Sequence, residues 1–74
     1  MKGLAIAFAK LGMMYERGRG VSQNLIEAHM WYNLSAAYGE KRAAESRNAL
    51  AKHMTAEQIA EAEARAKKWP PNRK

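Results

Sequence analysis

Proline, which breaks helices more strongly than any other residue, occurs in this chain only as the adjacent pair Pro70 and Pro71. The 74 residues include fifteen alanines but only five glycines, and alanine is the best helix former. These features predict an all-α domain without a sheet. The length allows one small core, and without cysteine no disulfide can add to its stability.

The spacing of apolar residues predicts two long helices in the first half of the chain. The first covers residues 3–17, and the second covers residues 25–38. Apolar residues occupy two faces of the second helix, so we expect it to lie between neighbours in the middle of the domain. The predicted core face of the first helix consists of Leu4, Ala7, Phe8, Leu11, Met14 and Tyr15.

Residues 40–53 predict a third, weakly amphipathic helix. Thr55, with Gln58 three residues later, forms a capping box that predicts the start of a fourth helix. We therefore expect four helices in all. The predicted buried stripe of the fourth consists of Ile59, Ala62, Ala66 and Trp69.

Glycine and asparagine mark the break between the first two helices. Gly18 and Gly20 allow positive φ and a tight reversal of the chain, and we interpret them as conformational rather than phosphate-binding. Asn24, with Glu27 three residues later, predicts a second capping box, at the start of the second helix.

The formal net charge of +6 is concentrated near the end of the sequence. Residues 65–74 contain five lysines and arginines and no acidic residue, and we expect residues 70–74 to form a disordered basic tail. Such a tail is typically solubilising, with binding of nucleic acid or an acidic partner as the alternative. We find no signal peptide and no membrane-spanning run, and expect a cytoplasmic protein.

The residue types predict no catalytic, metal or cofactor site. The chain has no cysteine and no aspartate, and neither His29 nor His53 has another ligand at metal-binding spacing. We expect both histidines to be exposed or half-buried. Glu57, Glu61 and Glu63 stand early in the fourth helix, where carboxylates interact favourably with the helix dipole.

Four residues on another side of the first helix are candidates for partner binding. They are Ile6, Lys10, Met13 and Arg17. Because the first core does not account for Ile6 and Met13, we expect this surface to bind another protein or peptide, or a second copy of the chain in a two-fold dimer. Lys10 and Arg17 would repel their counterparts in such a dimer unless each met a glutamate such as Glu16.

Small, aliphatic and aromatic residues recur at fixed spacings over residues 7–39. They are Ala7, Leu11, Gly12, Tyr15, Gly18, Gly20, Val21, Ala28, Trp31, Tyr32, Ala36 and Gly39. Together with Met14, Gln23 and Ser35, they make this segment resemble a Sel-one-like repeat, a helix-turn-helix repeat related to the tetratricopeptide repeats. Ser35 replaces the usual alanine of the family, and Asn24 its frequent aspartate. The resemblance assigns structural roles to the twelve motif residues given first.

The resemblance implies one domain over residues 1–69, with a full repeat at 3–39 and a degenerate repeat and C-terminal cap at 40–69. Arg47 and Asn48 stand where the second repeat would have Leu-Gly. The array would be a short right-handed superhelix, and the chain could be the end of a longer one. The implied function is that of a protein–protein adaptor in signalling, assembly or quality control in bacteria or eukaryotes. A hydrolase-like enzyme is a further alternative, but no matching nucleophile is visible.

Overall fold

The computed structural model describes residues 2–69. These residues form four helices, α1 (Lys2–Arg17), α2 (Leu25–Ala37), α3 (Lys41–Ala51) and α4 (Ala56–Lys67), and they contain no strand. The predictions of an all-α fold and of four helices are therefore confirmed. The predicted tail at 70–74 lies outside the described residues.

Helix α2 is the centre of the fold. Helices α1, α3 and α4 each pack against it, and no other pair of described helices has a comparable interface. This confirms the position predicted from its two apolar faces. One core cluster contains Ala28, Tyr32, Ala43 and Leu50, and the other contains Phe8, Met30 and Leu34.

Helices α1 and α2 are antiparallel and approach each other on small residues. Gly12 is buried against the ring of Tyr32, where a Cβ atom at position 12 would lie only 2.7 Å from Cδ1. Nearer the start of α1, the buried hydroxyl of Ser35 donates a hydrogen bond of 2.6 Å to the carbonyl oxygen of Ala5. Ser35 thus adds a helix–helix hydrogen bond that an alanine could not make.

The predicted core face of α1 was partly wrong. Leu4, Ala7 and Met14 are exposed, whereas Ala5 and Gly12 are buried with Phe8. The periodicity favoured the larger apolar residues, but the helix is turned about its axis so that its smallest residues meet α2. Small residues permit the close approach that the Tyr32 ring requires.

Four aromatic rings connect α1 and α2 with the end of α4. The ring centroid of Phe8 lies 5.3 Å from that of Trp31, 5.3 Å from that of Tyr38 and 5.0 Å from that of Trp69. Such edge and tilted contacts stabilise aromatic pairs beyond the area that they bury. Trp31 is half-buried, and Trp69 follows the last turn of α4.

The helix ends follow the predicted signals with one exception. Thr55 and Gln58 form the reciprocal capping box of α4. Asn24 accepts a hydrogen bond of 3.1 Å from the backbone amide of Glu27, but the predicted return bond is absent among the described contacts. The Glu27 carboxylate instead accepts a hydrogen bond of 3.3 Å from Trp31 Nε1 within α2. It also accepts one of 2.8 Å from Arg65 Nη1, which ties α4 to α2.

Candidate functional site

The most exposed large hydrophobic side chains of the described residues all belong to α1. The exposed fraction is 43% for Ile6, 43% for Met13, 38% for Leu4 and 36% for Met14. The other three helices bury most of their large apolar side chains in the two core clusters. Apolar exposure concentrated on one helix is a mark of an interaction surface.

Two cationic side chains run along the middle of this exposed surface. Lys10 and Arg17 are seven residues apart, which places them one above the other on the same side of the helix. Met13 and Met14 lie between them in sequence, one to each side of the line that joins them. We call Ile6, Lys10, Met13, Met14 and Arg17 the outer face of α1.

The turn after α1 brings a third cation to this surface. Gly18 and Gly20 have φ angles of +70° and +75°, as predicted, and the backbone amide of Arg19 between them donates a hydrogen bond of 3.0 Å to the carbonyl oxygen of Met14. The chain therefore folds back over the last turn of α1, and Arg19 lies beside Arg17.

These residues surround an open hollow of about 320 Å³. We call it the methionine hollow. It is lined by Lys10, Met13, Met14, Arg17 and Arg19. Methionine side chains are flexible and polarizable, so they adapt to apolar groups of different shape. Three of the four predicted partner-binding residues thus meet at one site, and Ile6 lies on the same face outside the hollow.

Among residues 2–69, no carboxylate forms an ion pair with a cation of the methionine hollow. The described ion pairs join Arg65 to Glu27 and to Glu61, and none involves a cation of the hollow. The acidic residue of α1, Glu16, is half-buried, and its Oε1 accepts a hydrogen bond of 2.6 Å from the hydroxyl of Tyr32. The two-fold dimer stays a prediction, and this contact occupies the carboxylate that would have to balance Lys10 and Arg17 in it.

The histidines differ in their surroundings. His53 is exposed, but His29 is only 2% exposed, so the expectation of an exposed or half-buried position was wrong for His29. It faces away from solvent because α3 and α4 both pack against α2. Burial, and next the charge of Arg47, lower the pKa of His29 below its usual 6.5, while Glu63 opposes the shift. Its Nδ1 has no hydrogen-bond partner among the described residues.

The remaining polar candidates are engaged in contacts or scattered. Arg47 Nη1 donates a hydrogen bond of 2.7 Å to Oδ1 of Asn33, and Glu61 Oε2 is paired with Arg65 at 2.6 Å. Within residues 2–69, no three histidine, cysteine, aspartate or glutamate side chains come together as a metal site. Nor is any described helix long and apolar enough to cross a membrane.

The motif residues behind the repeat resemblance lie mostly in or beside the α1–α2 interface. Gly12, Ala28 and Tyr32 are buried. Ala7 is exposed, so it does not share their packing role in this structure. The half-buried members are Leu11, Tyr15, Val21, Trp31 and Ala36, and the turn glycines Gly18, Gly20 and Gly39 are exposed with positive φ.

Two residues of the site were missed at the level of sequence. Met14 was assigned to the core, and Arg19 was not among the candidate residues. The signal for Arg19 was the pair of glycines around it, since such a turn can return a side chain to the helix that precedes it.

Comparison of the chain with protein-family models, curated proteins and solved structures gives no match.

Proposed function

We propose that this chain is a protein-interaction module of the Sel-one-like repeat type, which binds a protein or peptide through the outer face of α1. The observation that carries the proposal is the concentration of exposed apolar side chains on this one helix, beside cations that form no ion pair in the described structure. The proposal assigns no catalytic step to the chain.

The repeat assignment is supported by how the motif residues pack. Gly12 allows α1 to approach the ring of Tyr32, and Gly18 and Gly20 make the turn between the two helices. These residues therefore serve the helical hairpin, which leaves the outer face of α1 free for another molecule. In repeat proteins the apolar outer face of a helical hairpin is covered by another molecule or another repeat, because the hairpin cannot bury that face alone.

A peptide-display selection on the immobilised protein tests this function. We expect enrichment of peptides that bind the parent but not the variant Ile6→Glu with Met13→Glu. Both side chains are 43% exposed, so the two substitutions should leave the fold intact. The matched control, Ala49→Glu with Ala60→Glu, adds the same charge at exposed positions of α3 and α4 and should bind like the parent.

Two results would contradict the proposal. In the first, the selection yields no peptide whose binding can be measured with the purified protein. In the second, the selected peptides bind the Ile6→Glu, Met13→Glu variant as tightly as the parent, which would place their site elsewhere. Circular dichroism of each variant verifies that the helices are retained.

A further inference from the structure

We infer that the partner of the outer face of α1 is an acidic amphipathic helix that inserts an apolar side chain into the methionine hollow. This inference rests on the proposed function and names the chemistry of the partner. The required features are a large apolar residue and two carboxylates on one side of the partner helix, spaced to meet Lys10 and Arg17.

The shape of the methionine hollow favours a side chain over a small molecule. Its volume of about 320 Å³ is at the lower end of ligand pockets, and it is open to solvent rather than enclosed. Met13 and Met14 offer apolar contacts, and Lys10, Arg17 and Arg19 stand around them. A side chain presented by a helix lying along α1 would be covered by that helix from above.

The spacing of the cations fixes the spacing of the carboxylates. Lys10 and Arg17 are separated along the axis of α1 by about 10 Å, since each residue adds 1.5 Å. Two glutamates seven residues apart on a roughly aligned helix have the same separation. An apolar residue three or four positions after the first glutamate then lies opposite Met13 and Met14. Arg19, which also lines the hollow, would add to the positive electrostatic potential near the glutamate that meets Arg17.

A two-fold dimer through the outer face of α1 does not supply this chemistry. A two-fold pairing of outer faces would bring Lys10 and Arg17 against the same cations, and Glu16 is held by Tyr32 at 2.6 Å. An anionic membrane is also a poor fit. Helices that lie on membranes place their cations beside the apolar face, whereas here the cations run through its middle.

Two labelled peptides test the inference. Both are alanine-based helices of 16 residues that contain two variable sites seven residues apart. Leucine occupies the third and fourth positions after the first of these sites. One carries glutamate at the two sites and the other carries glutamine. Fluorescence anisotropy at low salt should give a dissociation constant at least about tenfold lower for the glutamate peptide, and added salt should reduce the difference.

A charge exchange locates the contact. The variant Lys10→Glu with Arg17→Glu should raise the dissociation constant of the glutamate peptide by at least about tenfold. The same variant should bind a third peptide, which carries lysine at the two sites. The matched control is Lys41→Glu with Lys52→Glu, which makes the same charge change at the exposed first residue of α3 and at the exposed residue after its end. It should keep parent affinity within about twofold. The variant Met14→Gln should weaken the binding of both the glutamate and the glutamine peptide, because it removes apolar contact from the methionine hollow.

Several outcomes would overturn the inference. If the glutamine peptide binds as well as the glutamate peptide, or if only display-selected peptides without acidic residues bind, the acidic partner is wrong while the proposed function stands. Sedimentation showing a dimer that Ile6→Glu with Met13→Glu abolishes would assign the face to a second copy. If no peptide binds but phosphatidylserine vesicles or a single-stranded oligonucleotide do, and the same variant abolishes that binding, both the inference and the proposed function are wrong.

Discussion

The hydroxyl of Tyr32 donates a hydrogen bond of 2.6 Å to the carboxylate of Glu16, across the interface between α2 and α1. Burial, followed by the contact with Glu16, raises the pKa of Tyr32, so the hydroxyl remains a donor throughout the neutral range. The contact holds the carboxylate at the helix interface, and no described ion pair joins Glu16 to a cation of the methionine hollow.

We expect Tyr32→Phe to lower the free energy of unfolding by about 1–2 kcal/mol, because a hydrogen bond to a charged acceptor is lost at a half-buried site. Urea denaturation followed by circular dichroism measures the change. Tyr15→Phe is the matched control, since no described hydrogen bond involves the Tyr15 hydroxyl. Equal losses in the two variants would mean that the Glu16 contact contributes nothing to stability.

The substitutions Gly12→Ala and Gly3→Ala should act in opposite directions. Alanine normally stabilises a helix by up to about 1 kcal/mol over glycine. At position 12, however, the added methyl group would meet the Tyr32 ring at 2.7 Å, and separating the helices should cost about 1–3 kcal/mol. At position 3 no atom lies within 4 Å, so only the gain remains. Thermal melts compare the variants, and a higher melting temperature for Gly12→Ala would refute the close approach.

Phe8→Ala should remove most of the stability of the domain. Phe8 is 4% exposed and contacts three other aromatic rings, so its truncation should cost about 3–5 kcal/mol. A core of this size supplies about the same amount in total. Ile6→Ala, two residues away on the same helix, should cost less than about 0.5 kcal/mol because Ile6 is exposed. Urea titration of both variants decides whether the aromatic cluster or the helix as a whole carries the stability.

Stability should fall as the pH is lowered through about 6.5 because His29 is buried. Its pKa is lowered in the folded state, so the unfolded chain binds the proton more readily. The contribution of neutral His29 to the free energy of unfolding is therefore complete above the pKa that His29 has in the unfolded chain. It is lost progressively below that pKa, by up to about 1.4 kcal/mol per pH unit. His29→Gln should flatten the profile between about pH 7.5 and 5. A parent profile without a slope in that range would contradict the prediction.

Local signals in the sequence were sufficient for the helices but not for their orientation. The breaks at Gly18 and Gly20 and the capping box of Thr55 act within a few residues, so helix ends could be predicted closely. The rotation of α1 could not, because it depends on Gly12 meeting Tyr32, a residue of another helix. Small residues score low in an apolar pattern even when they determine which face packs.

Some residues of the candidate site could also be predicted from the sequence, whereas others depend on how the helices pack. Lys10, Met13 and Arg17 follow from helical periodicity alone, because they project from one face of α1. Met14 joined them only because the helix is turned from its predicted orientation. Arg19 joined them because its backbone amide binds the carbonyl oxygen of Met14, a contact that depends on the path of the turn. The burial of His29 likewise required knowing that α3 and α4 both cover α2.

The contact between Phe8 and Trp69 joins residues near opposite ends of the described chain. Contacts between residues far apart in sequence require the closure of a long loop, which costs chain entropy before the contact can form. The hairpin of α1 and α2 can form early from nearer neighbours, whereas the edge-to-face packing of these two rings must wait until α4 has docked. The indole of Trp69 is therefore placed to report the final step by which the chain reaches its native state.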